Sequence, residues 1–222
     1  VVVLSVDRAG FGEWVVWSHI CRRVCTGSAV GVQVFGAVTG EKLHSLEHGQ
    51  WVESVAWSPD SRRIATGSAV GVRVWDAVTG ENVLSLEHGH WVGSVAWSPD
   101  GSRIVTGSFG AVRVWDAVTG ENVLSLEHDH GVGSVVWSPD GSRIATGSAV
   151  GVRVWDAVTG EDLFSLELEC GRGVESVAWS PDSRRIATGS IFGDVRVWDA
   201  VTGENVLSLE HDHRVGSVAV SP

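Results

Sequence analysis

The chain has 222 residues with 16 basic and 27 acidic side chains, and its net charge of −11 disfavours binding along a phosphate backbone. A hydrophobic fraction of 43% supplies a core and excludes disorder, yet no apolar run approaches the ~20 residues of a membrane helix. Three cysteines (Cys21, Cys25 and Cys170) make no disulfide framework and point to an intracellular, cytoplasmic setting, while the lack of Met and of a signal peptide reads as a piece taken from a longer chain.

Residues 1–6 align with the last strand of the units that follow and read as a lone strand. Five units come next, over 11–46, 51–86, 91–126, 131–166 and 174–209, and residues 214–220 then repeat the opening strand alone. Thr-Gly-Ser marks each unit, starting at Thr26, Thr66, Thr106, Thr146 and Thr188, with spacings of 40, 40, 40 and 42. Segments 51–90 and 91–130 agree at 32 of 40 positions, through either recent duplication or consensus design.

The unit over 91–130 shows the pattern in full. Trp91 to Ser98 alternates large apolar with small residues and reads as a first strand, closed by a Pro99-Asp100-Gly101 turn. Arg103 to Gly107, Val112 to Trp115 and Asn122 to Glu127 give three more strands, separated by a short loop and by a Thr119-Gly120-Glu121 turn. No stretch keeps a 3.6-residue period, so helix should be nearly absent. A four-stranded sheet of this size cannot cover both faces alone and must stack on its neighbours. Twisted four-stranded sheets repeated about an axis make a β-propeller. The expected fold is all-β, with five complete four-stranded antiparallel blades plus terminal strands, 22 strands in all from the five units and two ends. The ring is expected to be incomplete, with open edges where chains could self-associate.

The units resemble WD-repeats, the β-propeller family typified by G-protein β-subunits. The resemblance rests on four Trp-Asp pairs (Trp75-Asp76, Trp115-Asp116, Trp155-Asp156 and Trp198-Asp199) in register with Ser-Pro-Asp turns starting at Ser58, Ser98, Ser138 and Ser180. It covers essentially the whole chain. It implies a buried tetrad in each blade, made of a loop His, a Ser or Thr, the Trp and a loop Asp. The Gly-His pair of the family stands intact at Gly89-His90, so His90, with counterparts His130 and His213, is the expected tetrad imidazole beside Thr106 or Ser108 and Trp115.

The chain departs from the family in two places. In the first unit Phe35-Gly36 replaces the Trp-Asp pair, Ser18-His19-Ile20 replaces the turn, and Cys21 and Cys25 stand where the next unit has Ser61 and Ala65. Strand alternation points Cys25 into the sheet stack. Second, the loop that should carry the tetrad Asp reads Ala29-Val30-Gly31, Ala69-Val70-Gly71, Phe109-Gly110-Ala111, Ala149-Val150-Gly151 and Ile191-Phe192-Gly193-Asp194, with an acid only in the last. The family most often presents this face to partners. Trp51, Trp91, Val70, Phe109, Ile191 and Phe192 are therefore the expected contacts for a protein or peptide partner, unless they fold inward to fill the shortened loops.

Arg73, Arg113, Arg153 and Arg196 each precede a Trp by two residues, so each should lie on its ring. Three His-x-His pairs (His88/His90, His128/His130 and His211/His213) leave a metal-binding propeller open as an alternative. Ser, His and Asp recur with the period of the fold, whereas a catalytic site is singular, so no enzyme and no cofactor is expected. The reading is a non-catalytic protein-interaction scaffold, with similarity to the sensor arrays of larger signalling proteins. The other alternative is a structural repeat fragment or consensus chain with no partner.

Overall fold

The computed structural model describes residues 3–5, 14–18, 22–28, 31–168 and 173–221. Cys21, Cys170, His19, Ile20 and the Ala29-Val30 pair lie outside these, as do residues 1, 2 and 6 of the expected first strand. Among the described residues there are nineteen strands and no helix.

Hydrogen bonding gathers the strands into four sheets. The first holds β1 (Val3–Ser5), β2 (Trp14–Trp17), β3 (Arg23–Ser28), β4 (Gly31–Gly36) and β5 (Lys42–Glu47). The second holds β6 (Val52–Trp57), β7 (Arg63–Ser68), β8 (Gly71–Asp76) and β9 (Asn82–Glu87). The third has six strands: β10 (Val92–Trp97), β11 (Arg103–Asp116), β12 (Asn122–Trp137), β13 (Arg143–Ser148), β14 (Gly151–Asp156) and β15 (Asp162–Glu167). The fourth holds β16 (Val174–Trp179), β17 (Arg185–Ser190), β18 (Asp194–Asp199) and β19 (Asn205–Glu210). Each strand pairs antiparallel with its neighbours in sequence, as in β6–β9, which is the four-stranded antiparallel blade of a β-propeller.

Five complete blades are expected from the sequence; the structure has four. The difference lies in the third sheet, where pairing does not stop at the loops. β11 runs through Phe109-Gly110, β12 runs through residues 128–131, and Phe109 pairs with Gly131 across them. β11 still doubles back at Gly110, whose φ of +76° suits a residue without Cβ. The ends differ too. Val3–Ser5 pairs with Trp14–Trp17 instead of standing apart, and 214–220 forms no strand.

The core lies between sequence units, not within them. Four apolar clusters each join one unit to the next. In the first, Val32, Val34 and Leu46 meet Val52, Trp57, Ile64, Trp75 and Ala77 of the following unit. Three others repeat this contact along the chain. Polar ties cross the same junctions. Arg103 Nη1 donates to the Ala157 carbonyl at 2.8 Å, and Arg23, Arg63 and Arg143 make the same reach to Ala77, Ala117 and Ala200.

The glycine of the Thr-Gly-Ser motif lets this stacking close. A Cβ on Gly107 would sit 2.8 Å from Val135 Cγ1 and 2.9 Å from Val132 Cγ1 of the next unit. Gly147 meets Val174 Cγ1 at 2.9 Å in the same way.

Candidate interaction face

Two sets of loops meet at one end of the sheets: those between the second and third strands of a unit, and those leading into the first strand. Beneath them lies a repeated hydrogen-bonded chain. Thr106 Oγ1 accepts from Trp115 Nε1 at 2.9 Å and donates to the Arg113 carbonyl at 3.2 Å. The hydroxyl has one proton, so His88 Nε2, 3.0 Å away, is the donor to its remaining lone pair. His128, Thr146 and Trp155 repeat the arrangement, as do His48, Thr66 and Trp75. Trp198 keeps its bond to Thr188 at 3.1 Å.

This corrects the expected imidazoles. His90, His130 and His213 are exposed, and the residues in the chain are His48, His88 and His128, two positions earlier. The physical reason is reach: only the residue directly after the fourth strand's Leu-Glu turns inward over the Thr of the following strand pair. The signal was present in sequence. His48 is followed by Gln50, so the first position of the pair is the one that recurs, while Leu168 fills it in the loop before β16.

Burial holds these three imidazoles down to about 4, with Arg73, Arg113 and Arg153 respectively adding to the shift, so they are neutral at pH 7. His48 Nδ1 and His128 Nδ1 are buried with no hydrogen-bond partner among the described residues, which is where the shortened loops leave the chain without a carboxylate. The one loop acid, Asp194, is buried and accepts from Ser190 Oγ at 3.2 Å. The pairs also split: His88 and His128 engage Thr, while His90 and His130 face solvent. Among the described residues no group of three metal-ligating side chains converges.

The Trp-Asp residues divide their work. Arg73, Arg113, Arg153 and Arg196 lie over Trp75, Trp115, Trp155 and Trp198 at 5.8, 5.8, 5.9 and 5.8 Å from the ring centres, as strand alternation predicts. Asp116 Oδ1 accepts from the Val118 and Thr119 amides at 2.8 Å each. Asp76, Asp156 and Asp199 cap the same turn, and these bonds hold all four carboxyls below their usual range. In the first unit Cys25 is buried, which pushes its thiol well above the usual range.

Above the buried chain the loop residues face outward. Phe109 is 61% exposed and Phe192 is 62% exposed; Val70, Trp91, Val150 and Ile191 are exposed as well, and Trp51 is half-buried. Neighbouring loops touch. The His90 ring packs edge-on to Phe109 at 6.2 Å, and Ile191 lies beside Gly173 and Ala149. Trp91 reaches back to Glu53, whose carboxyl is raised by burial against that hydrogen bond. Local charges pair off: Arg153 with Asp129 at 3.0 Å, and Arg214 with Glu175. A crevice of about 300 Å³ exists at the opposite end, among the Ser-Pro-Asp turns. Its carboxylates, Asp100 and Asp140, are engaged by their own turns.

An all-β propeller with Trp-Asp turns and Thr–Trp bonds in register is the architecture of a WD-repeat protein. The chain belongs to that family: the model for the WD domain, G-beta repeat, matches residues 40–76, 80–116, 120–156 and 162–199. Each matched stretch ends on one of the four Trp-Asp pairs, and the Phe35-Gly36 pair falls outside. No curated protein matches the chain. Among the described residues no helix is long and apolar enough to cross a membrane.

Proposed function

We propose that this chain is a non-catalytic, intracellular interaction scaffold that binds a protein or peptide through its loop face. Members of the family generally act as protein-binding scaffolds. The single observation that carries the reading is the outward placement of Phe109 and Phe192. Phe109 stands in a loop that lacks an acid and Phe192 two residues before Asp194, and neither loop folds its ring inward. Val70, Trp91 and Ile191 extend the same apolar end, with Trp51 at its margin. Apolar and aromatic side chains rimmed by paired charges are the composition of a partner site. The recurring residues beneath, His88, Thr106 and Trp115, are committed to one another and hold the loops in place.

The test is affinity capture from an extract of the source cells on the immobilised wild-type chain and on the Phe109→Ser/Phe192→Ser variant. Loss of specific captured proteins on the variant supports the face; an unchanged set removes it.

A further inference from the structure

The free charge of the loop face has one sign. Fourth strands end on glutamates that stand across from the loop between the second and third strands: Glu47 pairs with Gly31, Glu87 with Gly71, Glu127 with Ala111 and Glu210 with Asp194. All four glutamates are exposed, and none forms an ion pair among the described residues. Histidine aside, the described cations at this end are engaged. Arg73, Arg113 and Arg153 lie on their Trp rings and donate to the Glu47, Glu87 and Glu127 carbonyls at 3.0, 3.1 and 3.4 Å. Arg196 lies on Trp198, and Arg214 pairs with Glu175.

Around Phe109 these acids join the apolar side chains in one track. Its inner end is Glu53, whose carboxylate accepts from Trp91. One edge of the Trp91 ring rests over Gly93, where a Cβ would lie 3.5 Å from Trp91 Cη2, and the residue is 50% exposed. His90, next in the chain, packs edge-on to Phe109. Phe109 pairs with Gly131, and two residues along β11 Ala111 pairs with Glu127, which closes the outer end. The Phe192 loop repeats the outer half, with Glu210 across from Asp194.

We propose that the partner of the loop face is a basic protein segment, with an apolar residue on Phe109 and a Lys or Arg to either side, one over Trp91 beside Glu53 and one beside Glu127. The proposal rests on the loop face being the partner site and adds the chemistry of what it takes. A cation over Trp91 meets both the negative face of the indole and the Glu53 carboxylate. A cation at the outer end meets Glu127, which has no ion-pair partner among the described residues.

Charge complementarity selects this occupant over the others. A second copy of the chain brings a further net charge of −11, and a nucleic acid brings a phosphate backbone, so both are repelled by the same glutamates. An acidic peptide is repelled likewise. A basic segment is drawn in, and its approach is faster at low salt.

The test is selection of a random peptide library displayed on phage, run on the wild-type chain and on the Phe109→Ser/Phe192→Ser variant. Peptides kept by the wild type and lost by the variant should carry Lys or Arg on both sides of an apolar residue. Synthetic copies of them, titrated by fluorescence polarisation, should bind about threefold more weakly to Glu53→Gln and to Glu127→Gln, and about tenfold more weakly to the double variant. Added salt should weaken wild-type binding and narrow those differences. Circular dichroism checks that each variant is folded. Should Glu53→Gln fail that check, Glu127→Lys takes its place, and peptides selected on it should lose one cation. Phe109-dependent peptides that are neutral or acidic would overturn the proposal, as would basic ones whose affinity ignores the glutamate substitutions; either result leaves the loop face standing. A wild type that keeps no peptide beyond those kept by the Phe109→Ser/Phe192→Ser variant would remove the face, and the proposal with it.

Discussion

Trp115 Nε1 donates to Thr106 Oγ1 across 2.9 Å, tying the third strand of the repeat to the second, nine residues earlier. The same oxygen receives His88 Nε2, so one hydroxyl satisfies two buried N–H groups. Replacing Thr106 with Val keeps the volume and removes the single acceptor that serves both donors. The expected loss is about 1–3 kcal/mol in urea unfolding, with Thr106→Ser retaining most of the stability.

The same three imidazoles set a pH dependence. His48, His88 and His128 titrate near 4 in the folded chain and near 6.5 when unfolded. Between those values the unfolded chain takes up protons that the folded chain does not. Stability therefore falls as pH drops from about 6.5 toward 4 and is flat above that window. The capping carboxylates, held low by backbone amides, add their loss below about 4. Melting temperature measured from pH 8 to pH 4.5 should show the first window alone, and His88→Gln should shallow its slope.

Gly107 tests the close stacking of units. Its Cβ site is already occupied by Val132 and Val135 of the following unit. Gly107→Ala should cost about 1–3 kcal/mol by overpacking, although Ala suits a strand better than Gly does. Pairing it with Val132→Ala should recover part of that loss, read as a coupling energy in a double-mutant cycle.

Phe109 and Phe192 should behave oppositely. Both rings are mostly in water, so Phe109→Ser/Phe192→Ser should shift unfolding free energy by no more than about 0.5 kcal/mol per site. A larger loss would mean the rings pack on the protein, which removes them as a display surface.

Much of this was legible because the repeat reports on itself. Strand alternation places Arg113 over Trp115, and a 40-residue period fixes where each Ser-Pro-Asp turn falls. What the sequence hid depended on contacts between units. His88 and His90 are chemically identical two residues apart, and only the position of Thr106 selects between them. Backbone pairing of Phe109 with Gly131 joins two repeats into one sheet, and neither residue type announces it. Residues 214–220 copy a strand sequence, yet they carry no strand pairing in the structure.

Hydrogen exchange on the chain bound to a captured partner tests the display face most directly. The account predicts protection centred on residues 69–70, 90–91, 109–110 and 191–192, with the Ser-Pro-Asp turns unchanged. Protection centred on the turns at 58–61, 98–101 and 138–141, with the Phe109 and Phe192 loops still exchanging freely, would contradict it.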